Sequence, residues 1–323
     1  MRAMRAEAFT GYSELKLVEV EKPIRSDGRV LVRMTAAGVT PLDHTILFGG
    51  MPTAKAPLIL GNEGAGTVEE PGDSSFPVGA RVMFFGPYGF TEDGTFSEWI
   101  AARPEDLCLI PESLDDATAG GVPVAYLTAQ ITLIQAGFEP GKSVLAPAIG
   151  GSVGNAVTQL ARAKGAKYAI STTTSTSKAE QAKTQGYENV IDLSIEPLVD
   201  GVKRITEGRG VDIVIESVGG SLTGRALSAL AINGVLITLG YSAGRAATID
   251  LTDLIWKRAR MSGFSLFAQP PATVSGAWSA IVPLLSSRSV KPVLESAYPL
   301  EEAVEAIRHL IEDRPFGTVV LTP

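Results

Sequence analysis

From Ser143 onward the chain alternates strand and helix six times over, and the series opens on a glycine turn. Candidate strands fall at 143–147, 168–172, 189–192, 211–217, 235–239 and 261–266. Helical stretches lie between them at 153–164, 178–185, 198–206, 222–230 and 250–257. The run Val211-Asp212-Ile213-Val214-Ile215 is nearly all β-branched, as a strand covered on both faces requires. An alternation of this kind predicts an α/β fold built on a doubly wound parallel sheet. The residues before it have another texture. They are rich in Gly and Pro, with short alternating runs at 30–34, 66–68, 80–85 and 96–101 that read as an irregular β-rich domain. Residues 115–136 read as one helix closed by Gly137, and the strand pattern at 317–321 predicts that the tail rejoins the N-terminal domain.

Composition then removes whole classes of chemistry. The 323 residues carry 35 acidic against 28 basic side chains, with no Lys/Arg block to neutralise phosphates, so a nucleic-acid partner is not expected. Cys108 is the only cysteine, which excludes an intrachain disulfide, a cysteine zinc cluster and an iron–sulfur site, and it reads as buried and inert. His44 and His309 are the only histidines, and His44 reads as a structural side chain. No apolar stretch is long enough to span a membrane and no leader pattern is visible, so a soluble, cytoplasmic protein is expected.

The segment Ser143 to Asn155 runs a strand into Ala148-Ile149-Gly150-Gly151-Ser152-Val153-Gly154 and then into an amphipathic helix. A dinucleotide pyrophosphate needs backbone N–H groups at a helix N-terminus and no Cβ in the way. Ile149 occupies the first glycine position of the usual six-residue motif, so the context carries more weight than the motif. Gly150-Gly151-Ser152-Val153-Gly154 also spells the nucleophile elbow of a hydrolase. That reading needs an oriented histidine, and the one downstream, His309, projects about 150° from the apolar stripe of its helix among acidic residues. About 20 residues after such a turn an NAD enzyme places a carboxylate for the ribose 2′-hydroxyl. Here the second strand runs into Ser171-Thr172-Thr173-Thr174-Ser175-Thr176-Ser177-Lys178, which offers hydroxyls and a cation to a 2′-phosphate, and NADPH is the expected cofactor. The plainer alternative is a polar loop whose Ser177 caps the next helix.

An ordered series of motifs runs through Ala36-Ala37-Gly38-Val39-Thr40-Pro41-Leu42-Asp43, Gly61-Asn62-Glu63-Gly64-Ala65-Gly66-Thr67-Val68, Val78-Gly79-Ala80-Arg81-Val82 and Gly94-Thr95-Phe96-Ser97-Glu98-Trp99. It continues through Leu127-Thr128-Ala129 and the segments 151–159, 210–220 and 234–240. In this series, along nearly its whole length, the chain resembles the medium-chain dehydrogenase/reductases, in their zinc-free quinone oxidoreductase branch. The resemblance implies a GroES-like β-rich catalytic domain (1–118 and 272–323), a Rossmann NADP(H)-binding domain (119–271) and an active site in the cleft. It also implies a homodimer paired through the last Rossmann strand, near 261–266. Zinc-dependent relatives bind their metal through Cys, His and Cys, and the matching positions here are Thr40, Asn62 and Pro123, none a zinc ligand. What the resemblance leaves is hydride delivery from NADPH to a small acceptor that is already electrophilic, a quinone or an α,β-unsaturated carbonyl. The alternatives are a 2-enoyl thioester reductase and an NADPH-binding redox sensor.

The same resemblance distributes roles. Gly151, Ser152, Val153 and Gly154 are expected at the pyrophosphate, Ser175 and Lys178 at the 2′-phosphate, and Ser217, Val218, Gly240 and Tyr241 along the cofactor path. Thr128, Phe264 and Leu266 are expected near the nicotinamide. Thr40 and Asn62 are expected to face the substrate, although Asn62 could equally be a turn residue in left-handed conformation. Met51, Leu193 and Thr318 depart from residues common in the family, and with Met51 in place of Tyr the proton is expected from water, Thr40 or Tyr88. Phe48, Met51, Phe84, Phe85, Tyr88, Phe90 and Trp256 are candidate walls of an apolar pocket.

Overall fold

The computed structural model describes residues 1–24 and 28–323, and it divides the chain into two compact units. One comprises Met1–Val124, Pro270–Arg288 and Pro292–Pro323, the other Ala125–Gln269 and Ser289–Lys291.

The second unit carries a six-stranded parallel sheet. Its order is Val190–Asp192, Tyr168–Thr173, Ser143–Ala146, Val211–Glu216, Leu230–Thr238, Arg260–Gly263. The strand that comes first in sequence lies in the middle. The chain builds outward on one side of it and then crosses to the other, which leaves a switch point between the C-terminal ends of Ser143–Ala146 and Val211–Glu216. Ligands of doubly wound sheets bind in that crevice. Every strand and helix expected here is present within a few residues, because β-branched runs and the helical period are both strong in this half. One core layer packs Leu145, Ile170, Val214 and Leu236 under Leu198, Val202, Leu222 and Leu227.

The first unit is β-rich. A seven-stranded sheet includes Val30–Val39, Glu63–Glu70 and Arg81–Phe85, and the tail strand Thr318–Thr322 joins it antiparallel to Val30–Val39. Two expectations need correction. The stretch 115–136 is two helices, Asp116–Gly120 and Pro123–Gln135, because Gly121 and Pro123 interrupt a continuous apolar face. The tail also contains an unexpected strand, Leu294–Pro299, an edge strand with alternate residues exposed. Among the described residues no helix is long and apolar enough to cross a membrane.

His309 is committed to the fold. Nδ1 lies 2.9 Å from Asp313 and Nε2 3.0 Å from Glu295, so both ring nitrogens face carboxylates and no hydrolase triad forms around it. Hydrogen bonds donated by its ring to Asp313 first, then to Glu295, raise its pKa above the usual value. The folded form therefore binds the proton more tightly than the unfolded one, and the stability this gives is complete below about pH 6.5 and lost as pH rises through the raised value. His309→Gln should flatten the decline in melting temperature above neutrality; an unchanged profile would show that the two pairs contribute nothing.

Candidate cofactor and substrate site

In the second unit the helix Ser152–Ala163 starts directly after the glycine turn. Its N-cap is Gly151, which offers no side chain to the exposed N–H groups of the first turn. A Cβ on Gly154 would overlap the carbonyl oxygens of Pro147 and Ala148, so strand and helix approach to a distance only glycine permits. A Cβ on Gly151 would meet nothing nearer than the Ala148 oxygen at 3.4 Å. Gly154 thus serves the packing, while Gly151 keeps open the space in front of the helix. The left-handed residue of the turn is Ala148 (φ 65°), with its N–H on Thr172 Oγ1 at 3.1 Å. A bare helix N-terminus behind an open glycine is what a dinucleotide pyrophosphate requires, and the residues present fit it.

The loop after Tyr168–Thr173 corrects one expectation. Ser175, not Ser177, is the N-cap of the helix Thr176–Thr184, and Ser175 Oγ lies 2.8 Å from Ser177 Oγ. Lys178 follows, half-buried. A carboxylate not foreseen from sequence stands one strand away: Asp192 accepts hydrogen bonds from Thr176 Oγ1 at 2.7 Å and from the N–H and hydroxyl of Ser194. The loops 217–220 and 240–244 lie back to back, with Ala243 N donating to Val218 O at 2.8 Å and the Gly240 Cα against the Ser217 carbonyl. Ser217, Val218, Gly240 and Tyr241 are thereby brought together at the C-terminal edge of the sheet. Phe264 follows the last strand and donates its N–H to Thr238 O, and Leu266 and Thr128 are buried.

In the first unit Thr40 heads the helix Pro41–Leu47 and Asp43 reaches back to it. Asp43 Oδ2 accepts the Thr40 N–H at 2.7 Å and the Thr40 hydroxyl at 2.9 Å, and Oδ1 accepts Gly61 N–H at 3.0 Å. The one hydroxyl proton of Thr40 is therefore spent on Asp43. Asn62 Nδ2 stands 3.5 Å from Thr40 Oγ1, and Asn62 Oδ1 is buried with no hydrogen-bond partner among the described residues. Gly61 (φ 92°), not Asn62, takes the left-handed conformation of this turn, so the turn reading of Asn62 is set aside. Glu63 is fully buried beside them and accepts Val124 N–H at 2.6 Å, at the head of Pro123–Gln135. A Cβ on Gly38 would overlap its carboxyl group, so that glycine makes room for the acid. Burial pushes Asp43 up to about 6 and Glu63 up to about 8.

Tyr88 does not belong to this group as a proton donor. It is 1% exposed, its hydroxyl donates to Asp106 at 2.6 Å and accepts from Arg103 N–H at 2.9 Å, and burial raises its pKa further. Its ring stands edge-on to Phe84, which is core and not pocket wall. Trp256, another candidate wall, is 80% exposed. His44 stacks on Phe48 with centroids 4.4 Å apart. Cys108 is only half-buried, yet burial still raises its pKa to about 12, which keeps it a thiol.

Residues 26–112 match the family profile described as the alcohol dehydrogenase GroES-like domain, and residues 152–287 match the zinc-binding dehydrogenase profile. Human quinone oxidoreductase is 31% identical over 320 residues, covering 96% of this chain and 94% of that protein. The chain belongs to the medium-chain dehydrogenase/reductases and is quinone oxidoreductase-like. Among solved structures, an NAD-dependent alcohol dehydrogenase superposes with a TM-score of 0.90 at 26% identity, each chain fully covered. A mycobacterial protein determined with NADPH gives 0.88 at 26%, again with full coverage of both. The protein is a medium-chain oxidoreductase with a GroES-like domain and a Rossmann-type, nicotinamide-binding domain.

The two glycines separate packing from binding. Gly154→Ala should destabilise the protein by roughly 2 kcal/mol or more, since backbone carbonyls cannot move aside. Gly151→Ala should leave the melting temperature within a few degrees and weaken dinucleotide binding at least tenfold, about 1.4 kcal/mol. Calorimetry and cofactor titration on both variants check this, and equal loss of stability in the two would contradict it.

Proposed function

We propose that this protein is a zinc-independent, NADPH-dependent reductase of quinones or α,β-unsaturated carbonyl compounds. The observation that carries the acceptor class is the donor set at Thr40 and Asn62. A hydroxyl already committed to Asp43 and a carboxamide do not make a zinc site, and without that Lewis acid an alcohol is a poor substrate while a conjugated carbonyl is already electrophilic. Reduced nicotinamide, when bound, supplies the hydride.

The remaining roles fall to the chain. The N–H groups of Ser152 and Val153 hold the pyrophosphate, and Ser175 and Lys178 hold the 2′-phosphate. Ser217, Val218, Gly240 and Tyr241 line the path of the cofactor, with Thr128, Phe264 and Leu266 beside the nicotinamide. Asn62 Oδ1, the unpartnered buried acceptor, takes a hydrogen bond from the bound ligand. Thr40 presents only an acceptor while Asp43 holds its proton, and Tyr88 is out of play, so water protonates the product. Catalysis then rests on holding donor and acceptor at reacting distance.

The same reading makes the protein a cytoplasmic homodimer. The edge strand Arg260–Gly263 has all four residues exposed, and Leu251, Ile255, Trp256 and Met261 add exposed apolar surface to the same unit. Light scattering should give twice the 33.8 kDa protomer mass, and a monomer at micromolar concentration would contradict the pairing.

The function is tested by steady-state oxidation of NADPH and NADH against quinones, enones and crotonyl-CoA. Turnover of quinones or enones with NADPH preferred, and a loss of about tenfold or more in kcat/KM for NADPH in Lys178→Glu, is expected. Turnover confined to crotonyl-CoA would make the protein a thioester reductase. Tight NADPH binding with no turnover of any acceptor would make it a sensor.

A further inference from the structure

Glu216 ends the strand Val211–Glu216 on its side of the switch point and is completely buried. Its carboxyl group has no cation among the described residues. Instead Oε1 accepts Val218 N–H at 2.7 Å and Gly219 N–H at 2.8 Å, while Oε2 accepts the hydroxyls of Thr223 at 2.9 Å and Thr238 at 3.3 Å. Four donors converge on two oxygens, so the group serves as an acceptor only, as a carboxylate does. A net charge in the interior of a sheet is costly, and these hydrogen bonds satisfy its lone pairs without neutralising it.

Its position gives that charge a use. The pyrophosphate region lies after Ser143–Ala146, and the strands Tyr168–Thr173 and Val190–Asp192 extend to one side of it. In a doubly wound sheet the two halves of a dinucleotide lie on opposite sides of the switch point, so the nicotinamide half belongs over the side that begins with Val211–Glu216. The turn at 217–220, which Glu216 holds by two N–H bonds, follows directly at the C-terminal end of that strand. We propose that Glu216 is a buried anion under the nicotinamide half of the dinucleotide, where its charge favours the oxidised, cationic ring over the neutral reduced ring. Glu216 touches neither cofactor nor acceptor. It positions the turn and biases the bound couple toward giving up hydride; the two electrons and the hydrogen go to the acceptor carbon, and Glu216 exchanges no proton. This inference rests on the dinucleotide reading above.

The test measures Kd for NADPH and NADP⁺, and for NADH and NAD⁺, on the wild type, Glu216→Gln and Glu216→Asp. In Glu216→Gln the ratio of oxidised to reduced Kd should rise roughly three- to thirtyfold, the range for loss of a nearby unit charge at intermediate dielectric. Glu216→Asp keeps the charge and should keep the wild-type ratio even where both affinities fall. An unchanged ratio in Glu216→Gln, with both forms weakened equally, would reduce Glu216 to a prop for the turn and overturn the inference. Should Glu216→Gln fail to fold, the wild type decides. NADP⁺ should then bind at least threefold more tightly than its uncharged benzamide isostere, and equal or weaker binding would overturn the inference. A wild type that binds no dinucleotide in either redox form would refute the proposed function itself, a result distinct from an unchanged ratio.

Discussion

The contact between Gly154 and the carbonyls of Pro147 and Ala148 sets the geometry on which the cofactor unit depends. It fixes how closely the helix Ser152–Ala163 approaches the end of the central strand. That distance decides whether the N–H groups of the first turn face open space or a neighbouring loop. With glycine at 154 the helix settles against the strand, and with glycine at 151 no side chain is added at its N-cap. Ala148 adopts a left-handed conformation to complete the turn, at a cost of order 1 kcal/mol that the surrounding hydrogen bonds offset. One steric constraint therefore shapes both the packing of the helix on the strand and the course of the turn before it.

A second theme recurs in both units: buried carboxyl groups are used to hold backbone. Asp43 gathers Thr40 and Gly61, Glu63 heads the helix Pro123–Gln135, and Glu216 pins the turn after its own strand. None has a cationic partner among the described residues. Each trades the expense of burying an acid for rigidity in the loop it holds. Burial pushes Asp43 and Glu63 toward the protonated form.

The alternating half of the fold was legible because β-branched runs and helical periodicity coincide with glycine and proline punctuation there. The break at Gly121 was hidden by an apolar face that continues across it. The strand Leu294–Pro299 was hidden because an edge strand with alternate residues exposed carries little hydrophobic signal. At the site, Gly151 and Gly154 could be read from spacing, but the acids could not. Glu63 and Glu216 carry no sequence signal of their burial beyond a lone acid that ends or interrupts an apolar run, as in Val214-Ile215-Glu216. Asp43 did leave a trace, in the capping sequence Thr40-Pro41-Leu42-Asp43. Tyr88 was misread because an aromatic in a Gly/Pro-rich loop looks the same whether its hydroxyl faces a ligand or, as here, Asp106 and Arg103.

The central claim, that hydride passes from a nicotinamide dinucleotide on this surface to a conjugated acceptor, is tested most directly by isotope transfer. NADPH deuterated at C4 and an α,β-unsaturated ketone should yield a saturated ketone with deuterium at the β-carbon and a solvent-derived hydrogen at the α-carbon. A saturated product free of deuterium from either C4 epimer of the labelled cofactor would contradict the account.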